Sequence, residues 1–208
     1  EAEGRGGARV VPLDVEIRGE EPVLLVSGPN MGGKTVALKT VGLLVLMAQA
    51  GLHVPAADGT DLPLVDEVFV DLGDEQSIES DLSTFAGHLR NIGRLWQEAG
   101  PRSLAILDEL GGGTDPEEGA ALAMAVLEGL AERGTLAVAT THLSSVKLFA
   151  SDRAGMRNAA MEFDPVSLQP RFLLRVGEPG TSRAFDIARR ILPDAGLLER
   201  AERYRTPL

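Results

Sequence analysis

Three short apolar runs organise the chain: "PVLLVSG" (22–28), "SLAILDEL" (103–110) and "TLAVATTH" (135–142). Each has four consecutive apolar residues and no polar alternation, the pattern of a strand buried on both faces. "EVFVDLG" (67–73) reads as a further short strand. The stretches between them change to helical spacing. Residues 33–50 predict a helix with Val36, Leu43, Leu44 and Met47 at helical intervals, closed by Gly51. Residues 83–98 predict a second, with Phe85, Leu89, Ile92 and Trp96 on one face. "DPEEGAALAMAVLEGLAERG" (115–134) predicts a third, with Asp115 as cap, acidic residues in its first turn and Gly134 as stop. A short helix (143–149), two strands (156–163 and 170–177) and two helices (182–191 and 194–203) complete the order. Strands alternating with helices imply an α/β fold, a mostly parallel sheet covered on both faces, with right-handed crossovers.

Composition narrows the class. The 208 residues are 44% hydrophobic and 25% charged, which suits a folded core and not a disordered tail. Absence of cysteine excludes disulfides and thiolate metal sites. The longest apolar stretch, Val41 to Ala50, is far short of the about 18 residues that suggest a membrane span. With no signal-peptide pattern at the start, the expectation is a soluble cytoplasmic domain cut from a longer protein. A net charge of −11 disfavours contact with a phosphate backbone, so this segment alone should bind DNA or RNA poorly.

The first run leads into G-x-x-x-x-G-K-[ST] through Gly28, Gly33, Lys34 and Thr35. Glycines let the backbone wrap phosphate oxygens and aim N–H groups at them. The intervening Pro29, Asn30, Met31 and Gly32 complete that loop. A helix starting near Gly33 adds its positive dipole end. Lys34 can reach the β- and γ-phosphates of a nucleotide, and Thr35 can offer a hydroxyl to Mg²⁺.

The second run carries Asp108 and Glu109 to a strand end beside that loop. Asp108 can hold Mg²⁺ through a water. Glu109 can orient or deprotonate an attacking water. Taken alone, the pair also reads as a surface "DE" ending a strand. The third run ends at His142, on the ligand edge of an open α/β sheet, where it could contact a γ-phosphate or the water, or be structural. His53 and His88 read as structural or surface residues, and no two histidines have metal-ligand spacing.

In this order the phosphate loop, "DLSTF", "LDELGGGTDPEEG" and "TTHLSSV" resemble the ATPase domain of the MutS family, which belongs to the ABC-type P-loop ATPases. The resemblance runs from about Val10 onward. "DLGDEQSIESDLSTF" and "GTDPEEG" are closer to the second bacterial paralogue, the MutS-two type, than to the mismatch-recognising one. The resemblance implies ATP/ADP and Mg²⁺ as ligands and a homodimer with composite sites. It implies that Asn30 touches the γ-phosphate and that Ser83 reaches the partner's nucleotide in trans. Gly112 to Asp115 would face the other subunit, and His142 would be the switch histidine. Ser83 also reads as a helix N-cap, and both roles can hold at once. Asn158 reads as a turn residue outside the site. The chain divides into a flexible segment (1–9), a P-loop ATPase domain (10–180) and a C-terminal helix–turn–helix (181–208) that resembles the dimer clasp of the family; its alternative is a hairpin packing on its own domain.

The resemblance further implies DNA (branched or duplex) or ribosome partners, reached through other domains, in suppression of recombination or rescue of collided ribosomes. Nuclease activity is not expected from this segment. A nucleotide-gated dimerisation module with little turnover is the competing reading. A transporter-type subunit would want an LSGGQ-like signature that "DLSTFAGHL" matches poorly, and a small-molecule kinase would want a substrate lid.

Overall fold

A computed structural model describes residues 10–29, 32–73, 81–164, 167, 169–180, 184–191 and 195–204; at 81–84, 184, 186–187, 190 and 195 it describes the backbone alone. The segment 1–9, Asn30, Met31 and the Ser83 side chain therefore lie outside the described residues.

Among the described residues strands and helices alternate as far as β5, after which a sixth strand and two helices follow: β1 (Val23–Ser27), α1 (Lys34–Gln49), β2 (Glu67–Asp71), α2 (Asp81–Glu98), β3 (Ser103–Leu107), α3 (Pro116–Glu132), β4 (Leu136–Thr140), α4 (Ser144–Asp152), β5 (Met156–Phe163), β6 (Pro170–Val176), α5 (Ala184–Ile191) and α6 (Ala195–Arg203). The strands form one sheet in the order β2-β3-β4-β1-β5-β6. The first five run parallel and β6 pairs antiparallel to β5. Among the described residues no helix is long and apolar enough to cross a membrane.

The three apolar runs are the sheet's interior. β1 and β3 are buried at every position. Their residues alternate between two cores, as a period of two demands. Val23, Leu25 and Leu107 face the layer built with Leu95, Leu127 and Leu130 of α2 and α3. Leu24, Val26 and Ile106 face Leu38 and Val45 of α1. Each fully buried Leu or Ile contributes about 1.5–3 kcal/mol of transfer free energy.

Two helix faces differ from the expectation. On α1 the residues that meet the sheet are Ala37, Leu38, Gly42 and Val45, whereas Val36 and Leu43 are 67% and 57% exposed. A helix this apolar all round hides its inward stripe, and small residues win where it crosses the sheet: a Cβ on Gly42 would sit 3.4 Å from Ile106. On α2 the buried residue is Leu95; Leu89 and Trp96 are exposed. Trp96 instead lies against Gly129 of α3, under the Arg133 guanidinium at 4.2 Å. The cap of α3 is as expected, Asp115 accepting from the amides of Glu117 (2.9 Å) and Glu118 (3.2 Å). Asn158 is no turn residue: it is buried within β5, opposite Leu25.

Candidate active site

The carboxyl ends of β1, β2, β3 and β4 share one edge, because the four strands are parallel and in near register: Asp71 pairs with Leu107, Leu107 with Ala139, and Thr140 with Val26. An open α/β sheet binds its ligands at this edge. Here it gathers Gly28, Lys34, Thr35, Asp108, Glu109 and Thr140.

Gly28 follows β1 directly, and its carbonyl accepts from Lys34 Nζ at 2.9 Å. The ammonium thus reaches back over the loop it follows, and Lys34 is buried. Gly33 holds φ 87° as the residue before α1, a left-handed turn that needs glycine. It aims the first amides of α1 at the space beside the lysine. A Cβ there would also come within 3.0 Å of the Phe172 ring on β6.

Thr35 closes the gap to β3, its hydroxyl donating to Asp108 Oδ2 at 2.6 Å. A hydroxyl and a carboxylate oxygen so placed are hard oxygen donors suited to Mg²⁺. Asp108 is buried, and its other oxygen accepts a short hydrogen bond from the Thr140 hydroxyl. The same hydroxyl oxygen accepts from the Glu109 amide at 2.8 Å. Thr140 therefore fixes both acidic residues, a role that sequence reasoning missed; the signal was the pair of threonines ahead of His142, hydroxyls at the end of an otherwise apolar strand. Its neighbour Thr141 donates to Leu110 O at 3.0 Å and secures the next residue.

Glu109 is half-buried and takes φ 50°, an uncommon conformation for a residue with a side chain. The turn is closed by the Gly112 amide on Glu109 O at 2.9 Å. Beyond it the loop folds onto the start of α3 so closely that a Cβ on Gly111 would lie 2.6 Å from Gly119 O. His142 is exposed and its Cε1 lies 3.8 Å from where a Gly112 Cβ would be, beside this loop. Ser83 falls inside the first turn of α2, which starts at Asp81, so it is not the cap of that helix.

Behind the loop that follows β1, Ser27 Oγ donates to Ala159 O (3.2 Å) and accepts the Gly180 amide (2.7 Å). Lys147 Nζ donates to Gly180 O at 3.2 Å, and burial pushes this ammonium's pKa below the ordinary lysine value. The irregular segment that follows β6 is thereby pinned beside Gly28. His88, read as structural or surface, is bonded to the buried Asp71.

A profile described as MutS domain V matches residues 24–204. The chain belongs to the MutS family. Domain V is the nucleotide-binding ATPase domain of that family. The chain is similar to proteins named Endonuclease MutS2 from three bacteria. That of Symbiobacterium thermophilum is 54% identical over 198 residues, 95% of this chain and 25% of that protein. That of Thermomicrobium roseum is 56% identical over 185 residues, 88% of this chain and 23% of the relative. That of Pelotomaculum thermopropionicum is 52% identical over 197 residues, covering 95% and 25%. The chain thus spans about a quarter of the length of the curated relatives it matches.

Proposed function

We propose that this chain hydrolyses ATP as the engine domain of a MutS2-type protein, working in the cytoplasm as a homodimer with composite sites. The observation that carries the reading is the Thr35–Asp108 contact, which brings the phosphate loop and the acidic strand end into one site. In that site Lys34 and the amides of Gly28–Gly33 hold the phosphates, with Asn30 on the γ-phosphate. Thr35 and Asp108 would hold Mg²⁺, which neutralises charge on the β- and γ-oxygens. Glu109 orients the water and takes its proton, and His142 senses the γ-phosphate. Ser83 completes the partner's site in trans.

Residues 10–180 form the ATPase domain, and the segment 181–208 clasps the other subunit. The relatives are named endonucleases; we place cleavage, and contact with branched DNA or a collided ribosome, in the parts of such proteins that this chain does not span. The test is steady-state ATP hydrolysis at increasing protein concentration. Activity per chain should rise through the monomer–dimer transition, since half of each site comes from the partner. A flat profile would point to a self-sufficient monomer, and no turnover at any concentration would overturn the ATPase reading.

A further inference from the structure

The contact between α2 and the edge strand β2 has two unlike halves. Toward the C-terminal end it is apolar: Phe69 and Leu95 are buried in one core, with the Arg94 guanidinium 5.7 Å from the Phe69 ring. Toward the N-terminal end it is polar. The Asp71 carboxylate is joined to His88 Nδ1 at 2.8 Å through one oxygen and accepts from Asn91 Nδ2 at 2.8 Å through the other. The Asp71 side chain is only 7% exposed. Burying a carboxylate is costly, and an apolar residue would pack this helix with less desolvation. Hydrogen bonds supply what apolar contact lacks, a fixed register and direction.

The position of Asp71 shows what that register serves. Its own carbonyl accepts the Asp108 amide at 2.8 Å. One residue therefore holds the acidic strand end through its backbone and α2 through its side chain. Gly113, in the loop after Glu109, lies near the same helix: a Cβ built on it would be 3.9 Å from the Phe85 side chain. α2 is thus tied through Asp71 to the segment that carries Asp108, and its N-terminal half lies beside the loop after Glu109.

We infer that His88 and Asn91 are positioning residues for ATP hydrolysis: through Asp71 they set the N-terminal half of α2, and Ser83 within it, against the acidic strand end. The inference rests on the ATPase reading and on the role of Ser83 in trans. Asp71 then makes the segment offered to the partner a rigid extension of the site that holds a chain's own nucleotide.

The test compares His88→Ala, Asn91→Ala and His88→Asn in this 208-residue chain, with Arg94→Ala as a control on the same helix. MgATP affinity, turnover at saturating protein and melting temperature are measured. Misplacing a catalytic segment slightly costs up to about a hundred-fold in rate, so His88→Ala and Asn91→Ala should lose about ten- to a hundred-fold in turnover while ATP affinity changes less than about two-fold. His88→Asn should recover most of that loss, because its amide nitrogen can take the place of Nδ1. Mixing His88→Ala with Lys34→Ala chains should also restore turnover, since the first keeps its phosphate loop and the second its α2. Wild-type turnover in His88→Ala and Asn91→Ala would overturn the inference, as would equal losses in Arg94→Ala. So would a His88→Asn protein that melts like wild type yet stays as slow as His88→Ala. If His88→Ala fails to fold, Asn91→Ala and His88→Asn decide by the same readouts. Failure of the ATPase reading is separate, because it appears as absent turnover in the wild-type chain.

Discussion

The two sides of the site are built by different means. The phosphate-loop side is local: Gly28 to Thr35 are consecutive, and the lysine that spans the loop bonds a carbonyl six residues earlier. The acidic side is assembled from afar. Asp108 is held by Thr35, by Thr140 and by the Asp71 carbonyl, and Glu109 by Thr140. The local side relies on backbone shape, which a few glycines dictate. The assembled side relies on side-chain hydroxyls arriving from α1 and β4, so it inherits the precision with which helix and sheet are packed and fails with it.

The sharpest way to break that contrast is chemical. Glu109→Gln should leave MgATP binding intact and slow turnover by about 10²–10⁴-fold, the usual cost of losing a general base; single-turnover hydrolysis with nucleotide already bound reads this directly. Lys34→Ala should come next, because it removes charge-assisted bonds worth about 1.5–3 kcal/mol, or roughly ten- to a hundred-fold in ATP affinity. Lys39→Ala, on the exposed face of α1, is its control; unchanged affinity in Lys34→Ala would remove the lysine from the site.

Thr140→Val separates the two sides. It keeps the shape of β4 but leaves Asp108 Oδ1 and the Glu109 amide without their hydroxyl, which costs about 1–3 kcal/mol of stability for a buried polar group. Denaturant unfolding should show that loss. Turnover should fall with nucleotide affinity largely kept, since the phosphate loop is untouched; an equal fall in affinity would mean that the two sides are not separable. The smallest effect belongs to Asp115→Ala, which deletes the cap of α3 and should lower stability by about 1 kcal/mol with little change in ATP affinity.

This contrast also divides what was legible in the sequence. The buried strands were plain because "VLLV" and "LAIL" leave no other reading. The meeting of Gly28, Lys34, Thr35 and Asp108 at one sheet edge was legible, because their spacing places a turn, a helix start and a strand end there. Thr140, Ser27 and Asp71 were not, since each acts through a neighbour that only the sheet order supplies. The inward face of α1 was misjudged for a related reason. Among its buried positions Ala37 and Gly42 are small, and at Gly42 it is closeness to Ile106 and not hydrophobicity that fits the helix to the sheet.

The place of β1 in the sheet bears on how the chain is made. β1 precedes the other strands of this sheet in the chain, yet its partners are β4 and β5, the strands that include Thr140 and Ala160. A growing chain therefore carries the complete loop sequence by Thr35 but has no strand of this sheet to pair β1 with until β4 ends at Thr140, about two-thirds of the way along these residues. Non-local pairing of this kind slows folding, and an unpaired "VLLV" is the sort of segment on which nascent chains aggregate. Among the described residues a still longer tie, Gly180 onto Ser27, joins positions 153 apart. Nucleotide affinity should thus be acquired late and abruptly during translation, and fragments that end before β4 should carry the phosphate-loop sequence without the pocket.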